Sequence, residues 1–431
     1  AQLISFCRLL YREGGTSMDI QKQLAQRTHA VEWSGIRVMF ALADEIEGVV
    51  NLGIGQPDFD TPQHIREAAK VALDEGYTRY PPAKGFLDLR QAITEKLRLK
   101  NNIHADPDKN IFVAVGAMQV IFNAILHLVE PGQEVMVIDP GYDYYSQIGL
   151  FGGLPVRIPA REENGFKVDP ADVKKAVTPK TKMMIINTPA NPTGALLDDG
   201  ILDTLAEIAQ HHGLLVLADE PYEDIVFDGN KHYSIGAIDG MQDLTISAFT
   251  LSKSYAMTGW RVGYAVAPKS VIDEMEKLME HMVSGVTAMA QRAALAAITG
   301  PQTCVEEMIK AYDRRRRIVY EGLNDIEGIS CLMPESTFYA FPNIKNLGMS
   351  SWDLAKFLVK EHKVALVPGS IFGRNGEGYL RLSFAAGSEQ LTEGLHRIKT
   401  GVEKIRKPSY ELLDKRVNNH EIIRKCGKSV A

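Results

Sequence analysis

The sequence predicts an α/β fold, a mostly parallel sheet sandwiched by helices in a large domain, with a smaller α+β domain beside it. Two observations carry that prediction. From about residue 62 to residue 300, apolar runs of strand length alternate with segments whose apolar residues recur at three-and-four spacing, the pattern of βαβ units. After Pro301 the pattern changes to one long helical stretch and then to short strands. The strands of the first region are expected at 111–115, 134–138, 183–187, 214–218, 245–249 and 262–267, each nearly continuous in apolar residues, as suits strands covered on both faces. The helices between them include 119–129 and 200–211. In the second region a helical pattern covers 312–323, and short strands are expected around 328–334, 338–342 and 379–384. Residues 62–301 then form the large domain, and residues 18–61 with 302–406 form the small one. Residues 1–17 read as an appendage before Met18, and 407–431 as a polar tail.

Composition removes several classes of function. A formal net charge of -6 argues against a nucleic-acid surface, which needs clustered and unbalanced basic residues. The one dense basic run, four arginines at 314–317, lies in a helical pattern and reads as a solvated or packed helix face. Cys7, Cys304, Cys331 and Cys426 have no paired spacing, so neither a disulfide framework nor a zinc site is indicated, and a reducing, cytoplasmic setting fits. The eleven histidines form no metal-binding cluster, and no metal is expected. No stretch approaches ~20 uninterrupted apolar residues, so no membrane span is expected; the apolar run at 3–11 is short, broken by Arg8, and makes a poor signal peptide.

The polar signatures of the first region fall just after predicted strands, where ligands sit in open α/β sheets. In Val113-Ala114-Val115-Gly116-Ala117-Met118-Gln119 a strand runs through glycine into a helix, whose free N–H groups bind phosphate; a plain tight turn would look the same. Asp139-Pro140-Gly141-Tyr142-Asp143-Tyr144-Tyr145 offers a ring that could stack on a flat ligand or pack at a lobe edge. Asn187-Thr188-Pro189-Ala190-Asn191-Pro192-Thr193-Gly194 is a turn in which two prolines restrict the backbone and aim Asn191. Val216-Leu217-Ala218-Asp219-Glu220-Pro221-Tyr222 ends an apolar strand in a carboxylate, which is costly to bury unless paired; strand-end acids also serve as metal ligands and helix caps.

Thr250-Leu251-Ser252-Lys253-Ser254-Tyr255-Ala256-Met257-Thr258-Gly259-Trp260-Arg261 is the most telling string. A lysine used as a nucleophile needs a lowered pKa or a Schiff base with a carbonyl cofactor, and the hydroxyls of Thr250 and Ser252 with the Arg261 guanidinium suit a phosphate beside it. Gly378-Tyr379-Leu380-Arg381-Leu382-Ser383-Phe384 embeds a guanidinium in a short apolar strand, where it needs a carboxylate of the protein or of a ligand. Leu52-Gly53-Ile54-Gly55-Gln56-Pro57-Asp58 is not a dinucleotide fingerprint.

These strings, in unbroken order from about Ser34 to Phe384, resemble the class I and II aminotransferases of pyridoxal phosphate fold type I. The resemblance implies pyridoxal 5'-phosphate as cofactor, bound through Lys253. Gly116, Ala117, Met118, Thr250, Ser252 and Arg261 would then hold the phosphate. Tyr142 would stack on the ring, Asn191 and Tyr222 would bond its phenolic oxygen, and Asp219 would keep the ring nitrogen protonated. Arg381 and the Gly55 amide would take the substrate α-carboxylate, with Asn191 helping to orient the substrate. Tyr80, in Tyr77-Thr78-Arg79-Tyr80-Pro81-Pro82, would reach the phosphate of a neighbouring subunit, making a homodimer with shared active sites. Ala190, Pro221 and Ser336 depart from the family's usual asparagine, isoleucine or alanine, and glycine, and the last is expected to alter the pocket wall.

The activity so implied is transfer of an amino group from an L-amino acid to a 2-oxo acid, 2-oxoglutarate foremost, by a ping-pong cycle between the pyridoxal and pyridoxamine forms. Lys253, Asp219 and Tyr222 would be its catalytic residues. A β-eliminating lyase of the same fold uses the same motifs and stays open as the alternative. The sensor domain of a transcription regulator is set aside, because the stretch before Ser34 is too short for a DNA-binding module of about 60 residues.

Overall fold

The structure, a computed structural model, describes residues 23–31 and 33–406; the expected appendage and tail lie outside the described residues. Helix α1 (Gly35–Asp44) and the two-residue strand β1 (Val50–Asn51) precede α2 (Gln63–Asp74) and α3 (Leu87–Lys96). The alternation then runs β2 (Ile111–Ala114), α4 (Ala117–Leu128), β3 (Glu134–Asp139), α5 (Tyr145–Leu150), β4 (Leu154–Pro159), α6 (Pro170–Ala176), β5 (Thr181–Asn187), α7 (Asp199–His212), β6 (Leu215–Asp219), β7 (Thr245–Thr250) and β8 (Gly263–Val266). Helices α8 (Lys269–Met282), α9 (Ala288–Thr299) and α10 (Thr303–Asn324) follow, then β9 (Tyr339–Ala340), α11 (Ser351–His362), β10 (Val364–Ala365), β11 (Val367–Pro368), β12 (Leu380–Ser383) and α12 (Ser388–Arg406).

Seven strands form the large sheet in the order β2-β8-β7-β6-β5-β3-β4. Only β8 runs against the rest, antiparallel to both β7 and β2. The α/β expectation therefore holds, and the central strands are apolar throughout because helices cover both faces. Strand β4 was not anticipated. Its Leu-Pro-Val-Arg-Ile-Pro sequence hides it, since proline cannot donate to a ladder, but β4 is an edge strand with β3 as its one partner among the described residues and tolerates Pro155.

The smaller lobe holds a β11-β12-β9 antiparallel sheet and the parallel pair β1-β10 around a core that includes Leu354, Leu358, Leu382 and Phe384. The strand expected at 328–334 does not form. Only a bridge between Ser330 and Asn343 is present, and the Asn324 side chain satisfies Cys331 instead, accepting from its N–H at 3.0 Å and donating to its carbonyl at 3.1 Å. A side chain thus does the work of a ladder partner.

Buried charge ties this lobe to the edge of the large sheet. Asp139, at the end of β3, accepts from the backbone N–H groups of Arg374 and Asn375, both at 3.1 Å, and from Arg157 at 3.2 Å. The arginine run is packed rather than solvated at its centre: Arg315 forks onto Asp58 at 2.7 and 2.8 Å, and Arg316 forks onto Asp228 at the same two distances. Arg316 is 1% exposed and also reaches Asp313 and the Pro334 carbonyl. Its two acids stay partly hydrated, so Arg316→Ala is expected to cost roughly 2 kcal/mol of stability, chiefly through the lost packing and the unmet Pro334 carbonyl. A thermal midpoint equal to that of the unaltered protein would contradict this account of the run.

Candidate active site

The carboxyl ends of the parallel strands converge on one edge of the sheet, and β8 brings its amino end there because it runs the other way. Pairing sets the neighbours: Asn187 lies opposite Asp219, Asp219 opposite Ala248, and Gly263 opposite both Thr250 and Ala114. Arg261, two residues before Gly263, is held in the left-handed region at φ 55°. The smaller lobe covers this edge and encloses a cavity of about 590 Å³. Gly55, Ala117, Met118, Tyr142, Asn191, Asp219, Tyr222, Thr250, Ser252, Lys253, Arg261 and Arg381 all line it. Two expected residues do not. Gly116 stands just behind, at φ 75°, where a Cβ would come within 2.6 Å of the Arg261 guanidinium. Tyr80 is 89% exposed on the outer surface.

One wall is suited to an anion. Helix α4 has Gly116 at its N-cap and no side-chain cap hydrogen bond, so its positive dipole end and the N–H groups of Ala117 and Met118, which line the cavity, suit an anion there. The Thr250 hydroxyl donates to Ser252 Oγ at 2.9 Å, and Arg261 lies alongside, bonded to the carbonyls of Thr258 and Val115 at 3.1 and 3.4 Å. Among the described residues Arg261 has no carboxylate partner.

The floor holds a buried acid. Asp219 is 5% exposed; its Oδ2 accepts from the Tyr144 hydroxyl at 2.6 Å and from the Asn187 amide at 3.3 Å. Its Oδ1 has no partner among the described residues. Burial pushes this carboxyl up to about 7, the Tyr144 hydrogen bond pulls it partly back, and the neighbouring Glu220 charge adds to the rise. Tyr144, pushed well above the usual phenol range by its own burial, stays protonated and keeps donating.

Lys253 Nζ donates to the Gly55 carbonyl at 2.7 Å. Burial, with repulsion from Arg381 and Arg261, lowers its ammonium to about 8, only partly opposed by Asp219. Arg381, 2% exposed, is held at both ends of its fork, by the Asn191 amide oxygen at 3.1 Å and the Gly53 carbonyl at 2.7 Å. Its Nε is unpartnered and no ion pair neutralises it among the described residues. Tyr222 shares a 2.9 Å hydrogen bond with Tyr339, and a Cβ on Gly55 would collide with that Tyr339 hydroxyl.

Sequence reasoning missed Tyr144, Asn187 and Tyr339. Two were within strings already singled out: Tyr144, two residues after the chosen Tyr142, supports Asp219 from behind, and Asn187, four before Asn191, lines the cavity itself while bonding Asp219 and the Asn191 backbone. Tyr339 lies three residues after Ser336, which alone was singled out in that stretch. Ser336 itself does not alter the pocket wall as expected: it is buried away from the cavity, where its hydroxyl donates to the carbonyls of Gly194 at 2.9 Å and Ala195 at 3.2 Å. Pro221, by contrast, does line the cavity.

Residues 47–398 match the family described as aminotransferase class I and II. An aspartate aminotransferase of Pyrococcus abyssi is 44% identical over 379 residues, which cover 87% of this chain and 97% of that protein. An aromatic-amino-acid aminotransferase of Thermococcus litoralis is 43% identical over the same length and shares. The solved aromatic aminotransferase of Pyrococcus horikoshii superposes with a TM-score of 0.81 at 41% identity, covering 85% of this chain and 99% of that one.

A consequence of the buried acid can be measured without any ligand. Because the Asp219 pKa is raised, the folded protein keeps a proton between the ordinary 3.8 and about 7 that the unfolded chain has released. Stability must then fall as pH rises through that window and level off above it. Asp219→Asn, neutral throughout, is expected to remove this part of the slope in thermal midpoints taken from pH 4.5 to 7.5; a slope identical in both proteins would place the titration elsewhere.

Proposed function

Since the chain belongs to the class I and II aminotransferases, we propose that it moves the amino group of an L-amino acid to a 2-oxo acid, 2-oxoglutarate foremost, in a ping-pong cycle. The enzyme is a transaminase dependent on pyridoxal 5'-phosphate. The observation that carries the proposal is the unpartnered Asp219 Oδ1 in the same cavity as a lysine of lowered pKa and an unneutralised arginine.

The donor set fits the cofactor. The open start of α4, formed by Gly116, Ala117 and Met118, would take its phosphate together with Thr250, Ser252 and Arg261. Tyr142 would cover the ring. Asp219 Oδ1 would accept from the ring nitrogen, which supplies the partner that this buried oxygen lacks. Asn191 has its amide oxygen engaged by Arg381, so its NH2 is free to donate to the phenolic oxygen, and Tyr222 would donate beside it. When bound, the cofactor supplies a carbonyl carbon that takes up the amino group and a ring that accepts the electron pair released at the substrate Cα.

The chain's own residues account for the rest of the chemistry. Lys253 Nζ, brought to about 8, is neutral often enough near neutral pH to accept the Cα proton and basic enough to hold it until transfer is complete. Arg381 would hold the substrate α-carboxylate in its fork, with the Gly55 N–H as a second donor. Its anchors, Gly53 and Asn191, keep the fork from turning, so the Cα–H bond has one direction relative to Lys253. Tyr339 supports Tyr222 through the 2.9 Å contact and so fixes its hydroxyl.

A homodimer accounts for Tyr80, whose exposed ring has no role within its own subunit; the loop carrying Gly285 packs on the adjacent Pro81, making one continuous face. A reducing, cytoplasmic setting is supported by the unpaired Cys304 and Cys331; among the described residues no helix is long and apolar enough to cross a membrane. No observation favours the lyase alternative. Incubation with an amino acid and 2-oxoglutarate should yield glutamate, and Lys253→Ala should lower that rate by on the order of 1,000-fold or more. Pyruvate and ammonia without an acceptor, or full activity in the variant, would overturn the proposal.

A further inference from the structure

Behind the cavity floor, the end of α3 grips the turn that carries Tyr222. The helix does not stop at Lys96, because Leu97–Asn101 continue it as a π turn. Such i→i+5 winding is rare and frequent at functional sites, and it brings Asn101 back beside Lys96, which an α turn would not do. Lys96 Nζ accordingly donates to Asn101 Oδ1 at 2.9 Å. Both reach Glu223, Lys96 at 2.5 and 2.7 Å and Asn101 at 2.8 Å. Lys100, on the same side of the winding, pairs with Asp224. Pro221 and Tyr222 of this turn line the cavity, while its two acids are held from behind.

Asp224 has a second partner. One of its carboxylate oxygens takes the Lys100 ammonium, and the other takes the hydroxyl of Ser254, the residue after Lys253. Ser254 is 4% exposed and the Asp224 side chain 16%, so water competes weakly for the bond between them. Two turns meet there. The one at 221–224 follows β6 and carries Tyr222, and the one at 252–255 follows β7 and carries Lys253.

Among the described residues no other hydrogen bond joins these two turns. The backbone contact between β6 and β7 ends at the Glu220 N–H, which donates to the Ala248 carbonyl at 3.0 Å. Other bonds hold the Lys253 turn from elsewhere: the Thr61 hydroxyl donates to the Ala256 carbonyl at 2.7 Å, and the Tyr255 hydroxyl donates to Gln302 at 2.9 Å. Its register against the Tyr222 turn is left to Ser254. Lys253 Nζ stands 5.9 Å from the centre of the Tyr222 ring, so a small rotation of either turn changes how the amine and the phenol face one another.

We infer that Asp224 is a positioning residue for the reaction: by fastening Ser254 to the turn that carries Tyr222, it sets the direction from which Lys253 Nζ approaches the cofactor's carbonyl carbon, and Lys100 of the π turn holds Asp224 in place. The inference rests on the reading of Lys253 as the residue that bonds pyridoxal 5'-phosphate. Neither Asp224 nor Ser254 lines the cavity. Their loss therefore changes the direction of the lysine without removing a group that touches cofactor or substrate.

Pyridoxal 5'-phosphate and pyridoxamine 5'-phosphate separate direction from pocket shape, since both fill one site but only the aldehyde bonds to Lys253, with loss of water. The full chain freed of cofactor is mixed with each, beside the variants Asp224→Ala, Asp224→Asn, Ser254→Ala and the double alanine variant. In Asp224→Ala and Ser254→Ala the rate of bond formation, followed by cofactor absorbance, is expected to fall about tenfold, in line with the loss of one charge-assisted hydrogen bond. In the loaded enzyme kcat should fall with it at an unchanged KM, and the affinity for pyridoxamine 5'-phosphate in calorimetric titration should not change. The double variant should be no slower than either single one. Asp224→Asn, which keeps an acceptor for Ser254, should recover most of the rate. A matching loss of pyridoxamine 5'-phosphate affinity would assign Asp224 a structural role and overturn the inference, as would additive losses or unchanged rates in the variants. An unaltered protein that forms no bond with the aldehyde would overturn the cofactor reading and this inference together.

Discussion

A carboxylate buried at a strand end with one oxygen satisfied and the other bare is the constraint around which this molecule is arranged. Asp219 is placed there by β6, whose preceding residues are apolar and which leaves it 5% exposed. Tyr144 and Asn187 occupy Oδ2 and fix the side chain, while Oδ1, on a side chain that lines the cavity, has no partner among the described residues. Leaving such an atom unpaired is costly in a folded protein, and the cost is removed when a cationic N–H arrives. The same burial that raises Asp219 lowers Lys253, so one low-dielectric enclosure adjusts both groups in the directions that the chemistry uses.

The rest of the fold serves that enclosure. Six of the seven large-sheet strands point their carboxyl ends at it, and the one reversed strand delivers Arg261 to the same edge. The smaller lobe contributes Gly55, Tyr339 and Arg381 from segments far apart in sequence, and Asp139 fastens it to the sheet through the backbone at 374–375. Positive charge comes from both lobes: Arg261 beside an uncapped helix of the large sheet, and Arg381 on β12 of the smaller lobe. Each faces the cavity without an acidic partner among the described residues, which is consistent with a site built for molecules that bring their own anions.

Much of this was legible in the sequence because it is local. Strands buried on both faces are apolar throughout, so β3, β5, β6 and β7 were found to within two residues at either end. The residues that face the cavity sit at strand ends within short strings, and twelve of the fourteen singled out line it. What was not legible is what depends on contact between distant segments. Strand β4 was masked by Pro155 and Pro159, which signal turns except at a sheet edge. Tyr144 acts across 75 positions on Asp219, and Tyr339 across 117 on Tyr222, and neither has a local pattern. Ser336 was expected to alter the pocket as a departure from glycine, whereas its hydroxyl donates to the Gly194 and Ala195 carbonyls.

The state of the ring nitrogen opposite Asp219 tests the central claim most directly. With ¹⁵N-labelled pyridoxal phosphate bound to the enzyme, nuclear magnetic resonance distinguishes a protonated from an unprotonated pyridine nitrogen. The account predicts a protonated nitrogen near neutral pH in the unaltered enzyme and its loss in Asp219→Ala, which removes the only carboxylate lining the cavity among the described residues. An unprotonated nitrogen in the unaltered enzyme, or a protonated one in the variant, would contradict it.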